Sequence, residues 1–334
     1  MNLSTNYLGL TLNNPLVASA GPIAGTLSGV QRLADAGMGA IVLPSLFEEQ
    51  ARRAAENGER PAESPAQGSA ESRTHLAATD GEADPHAYLD LLGRATAAVH
   101  VPVIASLNGV TAGGWTDYAA AMQEAGAAAI ELNVYYLPAD PRMPGRDVEQ
   151  RYVDILTTVK AAVSIPVAVK LAPFFSSAEE MAVRLDRAGA DGLVLFNRFM
   201  QADIDPETLT VTTGVKLSTP AEAALPRSWI ARLRALVGGS LAASTGVETG
   251  SDVAAYLLAG ADVVMTTSAL LRHGPGHAAV LIDELSQWLK RKDFSGVNEV
   301  RGLLAVPADG QGSAFGRAGY LAALEEAGRT YGPQ

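Results

Sequence analysis

The stretch from residue 125 to residue 141, AGAAAIELNVYYLPADP, changes abruptly from apolar to polar side chains. Glu131, Asn133, Tyr135 and Tyr136 stand where a buried strand would give way to a loop. Three interpretations fit such residues: ordinary strand-end polarity, a binding rim, or the chemical centre of an enzyme. A phenol is a poor base at neutral pH but a competent proton donor, so the two tyrosines are suited to delivering a proton.

A second chemical group is Lys170, which lies inside the apolar sequence VAVKLAP. A lysine within a core strand is costly unless its ammonium group meets a negative charge. Three explanations stay open for it: a structural ion pair, a lysine that forms a Schiff base, or a cation that partners an electron-rich cofactor.

Two turns combine glycine with hydroxyl side chains and offer a site for a phosphate. They are STGVETG, which begins at residue 244, and TTSALLRHGP, which begins at residue 266. Each turn opens a helix, so its backbone N–H groups and the positive helix end would face an anion. The alternative is that Gly246 and Gly250 only shape the turns.

A repeat indicates the elements that must position these groups. Four segments combine an Ala-Gly helix end with an apolar strand: AGMGAIVLPS at 36, AGAAAIELNV at 125, AGADGLVLFN at 188 and AGADVVMTTS at 259. A second kind of strand alternates with them: VPVIASL at 101, IPVAVKL at 165 and GSLAAST at 239. Two strands in every roughly 65 to 70 residues are typical of a parallel (β/α)8 barrel, a TIM barrel.

The predicted barrel occupies residues 1–290, and NPLVASA at residue 14 supplies its first strand. The other strands are expected near residues 40, 103, 129, 167, 193, 241 and 263. Residues 47–84 form a long polar insertion after strand two, over the C-terminal mouth, as a lid, a partner-contacting arm or a passive insertion. Residues 291–334 form a C-terminal extension that wraps the barrel or reaches a neighbouring subunit. A doubly wound open sheet is the alternative fold, but eight regular units favour closure.

The amino-acid composition restricts the classes of partner and cofactor that the chain can bind. The net charge of -11 disfavours nucleic acid and anionic membrane surfaces, and the absence of cysteine excludes disulfides, iron–sulfur ligation and a cysteine nucleophile. No apolar run reaches the ~20 residues that span a bilayer, and no secretory leader is visible, so we expect a cytoplasmic protein. The closest pair of histidines, His273 and His277, flanks a Gly-Pro-Gly turn, so we predict no metal site.

Six strand-end motifs, in chain order, resemble those of the dihydroorotate dehydrogenases, which are FMN flavoproteins built on a (β/α)8 barrel. The motifs are NNPLVASAGP, ELNVYY, VAVKLAPFF, LVLFNR, STGVETGSDV and TTSALLRHGP. The resemblance covers nearly the whole chain and is greatest to the soluble class 1 group. It implies an FMN-dependent oxidoreductase that acts on a CH–CH or C=C bond of a small substrate. In the family the reaction is the conversion of dihydroorotate to orotate, a step of pyrimidine biosynthesis.

The resemblance also implies roles for individual residues. Those that would hold FMN are Ala20, Gly21, Ser45, Ser106, Asn133, Lys170, Thr245, Gly246, Thr267 and Ser268. Within this set the last four would hold the phosphate, and Lys170 would face the N1 and C2 carbonyl side of the flavin, where it stabilises negative charge on the reduced form. Asn108, Asn197 and Arg198 would contact the substrate.

The chain departs from the family around the substrate. Tyr136 stands where class 1 enzymes carry a cysteine base and the membrane-associated class carries a serine, and Pro44 replaces a lysine at the end of strand two. Pro138 stands where an asparagine follows the base, and the bulky Arg198 follows Asn197. These departures indicate a retained flavin site and a rebuilt orotate site, in which Tyr136, with Tyr135, is the predicted catalytic proton donor.

Two other functions fit the same residues. One is a non-flavin barrel enzyme that acts on a phosphorylated substrate with Lys170 as electrophile. The other is a catalytically idle barrel that serves as a subunit or scaffold. For the flavin enzyme we expect a small-molecule substrate and, as further partners, either a second copy of the chain in a homodimer or a redox partner protein.

Overall fold

The computed structural model of the chain describes residues 1–56, 84–111, 113, 116–138, 140–198, 202–212, 214–307 and 316–332. Its strands are β1 (Thr5–Tyr7), β2 (Leu10–Leu12), β3 (Leu16–Ala18), β4 (Ala40–Phe47), β5 (Val103–Asn108), β6 (Ala129–Asn133), β7 (Val167–Leu171), β8 (Gly192–Leu195), β9 (Asp203–Asp205), β10 (Thr210–Thr212), β11 (Ser240–Ser244) and β12 (Val263–Thr266). Eight of these strands close into a parallel barrel in the order β11-β12-β3-β4-β5-β6-β7-β8, and β8 pairs with β11. The predicted (β/α)8 barrel is therefore confirmed.

Helices follow the barrel strands, and most of them pack around the barrel; the last, Arg317–Tyr331, has no buried residue. They are α1 (Leu27–Asp35), α2 (Glu48–Glu56), α3 (Pro85–Ala98), α4 (Thr116–Glu124), α5 (Gly145–Ala162), α6 (Ala178–Arg187), α7 (Ala224–Leu233), α8 (Gly250–Ala259), α9 (Ser268–His273), α10 (His277–Arg291), α11 (Val297–Val300) and α12 (Arg317–Tyr331). In α6, for example, Met181 and Leu185 are one turn apart and both are buried, while Ser177 caps the first turn by accepting from the N–H of Glu180.

The repeated Ala-Gly pairs end helices, as the repeat predicts. Gly37, Gly126, Gly189 and Gly260 have φ of 93°, 94°, 98° and 116°. These left-handed values favour glycine, because a Cβ atom would clash with the following carbonyl group. The chain therefore leaves each of these helices in a direction that feeds the next buried strand.

Strand side chains alternate between the helices and the barrel interior. In β7, Val167 and Val169 belong to the core beneath the helices, whereas Ala168 belongs to the interior of the barrel. Lys170 is therefore on the inward side. The same alternation in β6 puts Glu131 and Asn133 on the inward side, above Ala129.

A hairpin of β1 and β2 closes the N-terminal end of the barrel, and the sequence patterns did not predict it. Leu8 and Gly9 form its turn with φ of 53° and 76°, as a two-residue type I′ turn requires. The backbone N–H of Leu8 donates to Ser240 Oγ at the start of β11 (3.0 Å), and Thr5 Oγ1 donates to the carbonyl of Asp262 (2.9 Å). Tyr7, at the end of β1, packs with the apolar side chains inside the barrel.

The two additions to the barrel are described only in part. Of the predicted insertion at 47–84, Phe47 ends β4 and residues 48–56 form α2, while residues 57–83 lie outside the described residues. In the C-terminal part, Arg301 pairs with Asp262 (3.2 Å), and the N–H of Val306 donates to the carbonyl of Ala231 (2.8 Å). Residues 301–306 thus pack against the barrel. In the described part of the chain no helix is long and apolar enough to cross a membrane.

Candidate active site

Polar residues from successive strands meet at the C-terminal mouth of the barrel. A cavity of about 980 Å³ opens there, between the inward side of β7 and the turns after β11 and β12. The predicted site residues that line this cavity are Ala20, Lys170, Asn197, Arg198, Thr245, Gly246, Thr267 and Ser268. Gly21, Ser45, Ser106, Asn108 and Asn133 stand at neighbouring strand ends outside its lining. We call this space the Lys170 cavity.

Lys170 makes a buried ion pair with a residue that the sequence analysis did not assign to the site. Its Nζ lies 3.1 Å from Glu131 Oε1 and donates to Ser19 Oγ at 3.3 Å. Lys170 is 7% exposed and Glu131 is 1% exposed. Glu131 Oε2 is also buried and has no hydrogen-bond partner among the described residues. The ion-pair explanation for Lys170 is thus observed, and the third N–H of the ammonium group remains for a ligand in the cavity.

Hydrogen bonds between side chains also join the strand ends on either side of β7 and the strands β4 and β5. Asn197 Nδ2 donates to Asn133 Oδ1 (3.0 Å), so a predicted substrate residue and a predicted cofactor residue are in direct contact. Ser45 Oγ and Ser106 Oγ are 2.7 Å apart across β4 and β5. The N–H of Ser106 donates to the hydroxyl of the buried Tyr88 (2.9 Å), and burial raises the pKa of that phenol. These bonds hold the amide and hydroxyl groups of the mouth in fixed positions.

The turns after β11 and β12 are joined by Ser218, another residue that the sequence analysis missed. Its hydroxyl donates to Ser268 Oγ (3.0 Å) and accepts from the N–H of Gly246 (3.3 Å). Thr267 Oγ1 donates to the carbonyl of Ser19 (2.7 Å) and ties the last strand to the first. Ser218 lies in a loop without hydrophobic periodicity, so no sequence pattern marks it.

Glycine is required in these turns for lack of space. A Cβ on Gly246 would lie 2.8 Å from the backbone nitrogen of Ala223, and the φ of Gly246 is 72°. A Cβ on Gly21 would lie 2.5 Å from Thr267 Cγ2. Gly246 and Gly21 are therefore packed tightly against Ala223 and Thr267, and a side chain at either position would have to displace these neighbours.

Cationic side chains lie on the outer wall of the Lys170 cavity. Arg198 Nε is 3.0 Å from Glu222 Oε2, and Arg198 also donates to the carbonyl of Lys216. Lys216 Nζ lies 3.1 Å from Asp203 Oδ2. Each cation has a carboxylate beside it, so this wall is polar without a large excess of positive charge.

The two tyrosines line a different space. Tyr135 and Tyr136 line a second cavity of about 420 Å³ and do not line the Lys170 cavity. The guanidinium carbon of Arg151 lies 4.1 Å from the centre of the Tyr136 ring, and the Tyr136 hydroxyl donates to Met143 Sδ at 3.4 Å. The ring of Tyr136 is held firmly, whereas its hydroxyl is bound only to a weak acceptor among these contacts.

A buried carboxylate links three loops of the mouth. Glu48, at the start of α2, accepts from the N–H groups of Val110 (2.7 Å) and Thr111 (3.0 Å). Arg151 NH1 donates to the carbonyl of Val110 (2.6 Å), and the same guanidinium covers the ring of Tyr136. The loop that carries the tyrosines is thus braced through the loops after β4 and β5.

The histidine pair beside the second phosphate turn is bound to Glu248, one ring to its carboxylate and the other to its backbone carbonyl. His273 Nε2 lies 2.6 Å from Glu248 Oε1, and His277 Nε2 lies 3.0 Å from the carbonyl of Glu248. The predicted turn between the histidines separates α9 from α10. Within the described residues there is no group of three or more His, Cys, Asp or Glu side chains that could hold a metal ion.

Known proteins resemble the chain across the barrel. It is 30% identical to the catalytic subunit of dihydroorotate dehydrogenase B (NAD(+)) from Halalkalibacterium halodurans over 209 residues, 61% of this chain and 67% of that relative. The same subunit from Methanocella arvoryzae is 28% identical over 321 residues, 91% of this chain and 98% of the relative. Chloroplastic dihydropyrimidine dehydrogenase (NADP(+)) from Arabidopsis thaliana is 27% identical over 206 residues, 56% of this chain and 48% of the relative.

The dihydroorotate dehydrogenase family model matches residues 2–289. This span includes the N-terminal hairpin, all eight barrel strands and the residues that line both cavities. The resemblance seen in the six strand-end motifs is therefore confirmed. The chain belongs to the dihydroorotate dehydrogenase family of flavin-dependent oxidoreductases.

Proposed function

We propose that this chain binds FMN in the Lys170 cavity and uses it to oxidise or reduce a CH–CH or C=C bond of a small substrate. The observation that carries the proposal is the position of Lys170. It is a buried lysine on the inner side of β7, and it shares one cavity with the two helix-opening turns after β11 and β12. A cation at one end and backbone N–H groups at the other suit a long ligand with a planar acceptor-rich ring and a phosphate.

The residues present fit FMN. Gly246 lines the cavity without a side chain, so the backbone of the turn after β11 borders the space where a phosphate would lie. Ser268 adds a hydroxyl donor to the same cavity, and Thr245 and Thr267 line it with their hydroxyls donated to the carbonyls of Phe196 and Ser19. The cavity volume of about 980 Å³ also lies at the upper end of the range that small-molecule sites occupy.

Individual residues of the chain would have distinct roles in cofactor binding and proton transfer. When bound, FMN supplies the two-electron chemistry that amino-acid side chains lack. Lys170 would place positive charge beside the ring, Asn133 would hydrogen-bond it, and Thr245, Gly246, Thr267 and Ser268 would hold the phosphate. Tyr136 would donate a proton to the substrate, because its hydroxyl rests on the weak acceptor Met143 Sδ and is easily released.

We infer that dihydroorotate is a poor substrate for this chain. Tyr136 replaces the family's cysteine or serine base, and Pro44 and Pro138 remove side chains that would contact the substrate. Arg198, a further predicted substrate residue, is already engaged by Glu222 and the carbonyl of Lys216. Rapid bleaching of the flavin on anaerobic mixing with micromolar dihydroorotate would contradict this inference.

The absorbance spectrum of the purified protein tests the cofactor. We expect the visible bands of bound flavin, or uptake of added FMN; a folded, colourless protein that takes up no FMN would defeat the proposal. That outcome would favour a non-flavin enzyme or an idle subunit.

The test of Lys170 uses a variant in which residue 131 carries no charge. Lys170→Met alone would leave the buried Glu131 carboxylate without its partner and destabilise the protein. We therefore compare FMN affinity in Glu131→Gln with that in the double variant Lys170→Met and Glu131→Gln. The double variant is expected to bind FMN about tenfold or more weakly. Equal affinities would show that Lys170 does not contribute to FMN binding.

A further inference from the structure

The second cavity has a composition unlike that of the Lys170 cavity. It lies among the loop after β6, the loop after β7 and the start of α5. Its walls are mainly aromatic and aliphatic, with contributions from Tyr135, Tyr136, Leu137, Pro138, Tyr152 and Phe174. A volume of about 420 Å³ is within the range of sites that bind small molecules.

Charge distinguishes the two cavities most clearly. The described residues that line the second cavity include no Lys, Arg or His, whereas Lys170, Arg198 and Lys216 line the first. The carboxylate of Glu149 does line the second cavity, where it accepts from the N–H of Ser176 (3.1 Å). Two cations stand beside this cavity, but Arg184 pairs with Glu149 (3.8 Å), and Arg151 covers the Tyr136 ring and donates to the carbonyl of Val110. A carboxylate or phosphate ligand would therefore lose its hydration here without meeting a cation in the lining. The second cavity therefore selects a neutral ligand.

Exposed apolar side chains stand at the rim of this cavity. Phe174 is 60% exposed and Leu137 is 54% exposed. Their wall neighbour Tyr152 is buried and meets Phe175 edge to face, with ring centres 5.2 Å apart. A rigid aromatic floor with exposed apolar groups around it is a surface that gains free energy when an apolar ring covers it.

One loop separates the two cavities. Pro173 lines the Lys170 cavity, while its neighbours Ala172 and Phe174 line the second. The second cavity also contains Tyr136, the proposed proton donor. We propose that it binds a neutral, apolar ligand that carries at least one ring. The preference for a neutral ring rests on the lining of this cavity alone.

A matched pair of probes tests the charge preference. 2-Naphthamide and 2-naphthoate have nearly the same shape, and only the second is an anion at neutral pH. Titration calorimetry on the FMN-loaded protein is expected to show binding of the amide about tenfold or more tighter than that of the acid. Equal affinities, or tighter binding of the acid, would overturn the proposal.

A cavity-filling variant tests the location. Among the described residues, a Cβ on Gly145 meets only Ser176 Oγ at 3.6 Å, an ordinary contact, so Gly145→Leu should fold while it occupies the second cavity. Its matched control is Gly276→Leu before α10, where φ is -58° and a Cβ has no described atom within 4 Å. Gly145→Leu is expected to weaken 2-naphthamide binding about tenfold or more, and Gly276→Leu to leave it unchanged. Equal effects would overturn the assignment.

Truncation of an exposed wall residue gives a second measurement that does not depend on filling the cavity. Phe174→Ala removes a ring that is largely outside the core, so the fold is retained. We expect weaker binding of 2-naphthamide and unchanged binding of FMN. An unchanged affinity for 2-naphthamide would show that the probe binds outside the second cavity.

The same samples separate this proposal from the flavin function. A protein that holds FMN but does not prefer the neutral probe overturns the ligand assignment and leaves the flavin function standing. If the protein takes up no FMN, the flavin function is overturned. If it nevertheless binds 2-naphthamide, and the Gly145→Leu variant does not, the neutral-ring site is supported.

Discussion

At the scale of single residues, the Glu131 carboxylate sets how much positive charge Lys170 offers to a bound ring. The two groups are 3.1 Å apart and buried, so each offsets much of the field of the other. Lys170 alone would favour a reduced, negatively charged flavin. The ion pair weakens that preference, and the pair as a unit, with its unpartnered Glu131 Oε2, therefore sets the electrostatics of the site.

Glu131→Gln is consequently expected to raise the reduction potential of bound FMN. Removal of one negative charge stabilises the reduced form by about 1.4 kcal/mol, which is about 30 mV for a two-electron couple. Anaerobic titration against reference dyes measures the potential. Glu149→Gln is the control, because this carboxylate lines the other cavity and should leave the potential unchanged. A lower potential in Glu131→Gln would show that the carboxylate does not oppose Lys170.

Tyr136→Phe tests proton donation at the same scale. The variant keeps the ring beneath Arg151 and removes only the hydroxyl, so FMN binding should be intact. Because general acid catalysis is typically worth ~100 to 10,000-fold, the substrate half-reaction should slow by at least the lower figure. Stopped-flow absorbance of the flavin measures this rate.

Tyr135→Phe is the control for that experiment, since adjacent residues of an extended segment point in opposite directions. If Tyr135→Phe is the damaging change, the two tyrosines exchange roles. If neither variant is slow with a true substrate, both rings serve only as cavity wall and the proton comes from another group.

At the scale of elements, the turn after β11 depends on a backbone that only glycine allows. Gly246 and Gly9 have similar left-handed φ, 72° and 76°, but a Cβ on Gly246 meets Ala223 at 2.8 Å, whereas a Cβ on Gly9 meets no atom of the described residues within 4 Å. Gly9→Ala should therefore lower the free energy of unfolding by about 1 kcal/mol, through conformation alone. Gly246→Ala should lower the free energy of unfolding by ~1 to 3 kcal/mol more than Gly9→Ala does, because of overpacking, and should weaken the binding of FMN. Denaturant unfolding measures the stability of both variants, and FMN titration measures the affinity. Equal losses of stability in Gly9→Ala and Gly246→Ala would show that the turn after β11 relaxes to accept the extra methyl group.

Barrel strands could be predicted from the sequence because each is a short apolar run, and β4, β6, β8 and β12 follow a helix-ending glycine. The hairpin of β1 and β2 could not, since two strands of three residues are too short to show a period. Lys170 could be recognised as a costly buried cation, but its partner depends on the register between β6 and β7, which pairs Asn133 with Lys170. The surroundings of Tyr136 escaped prediction for a similar reason, because Arg151 reaches it from α5.

At the scale of the whole molecule, buried phenols make the fold sensitive to alkali. Burial raises the pKa of Tyr7, Tyr88, Tyr152 and Tyr256, to about 12 for Tyr152. These groups stay protonated in the folded chain while the unfolded chain loses the protons near pH ~10. Their contribution to stability is therefore fully present below pH ~10 and is lost as the pH rises towards 12.

The expected result is a steep fall in the free energy of unfolding above pH ~10, by about 1.4 kcal/mol per pH unit for each buried phenol. Tyr152→Phe removes one of them and should reduce this slope by about that amount between pH 10 and 12. Urea unfolding at a series of pH values, followed by circular dichroism, measures the slope. A stability that stays level across this range would contradict the assignment.

The hairpin that closes the barrel has a consequence for the order of folding. Thr5 and Leu8 bond to Asp262 and Ser240, which lie 257 and 232 residues further along the chain. Contacts of such separation form late, because the loop between the partners must close first. During synthesis the apolar side chains of Tyr7, Leu8 and Leu12 leave the ribosome long before the strands that will cover them. Until then the nascent chain presents an aggregation-prone apolar segment of the kind that chaperones shield.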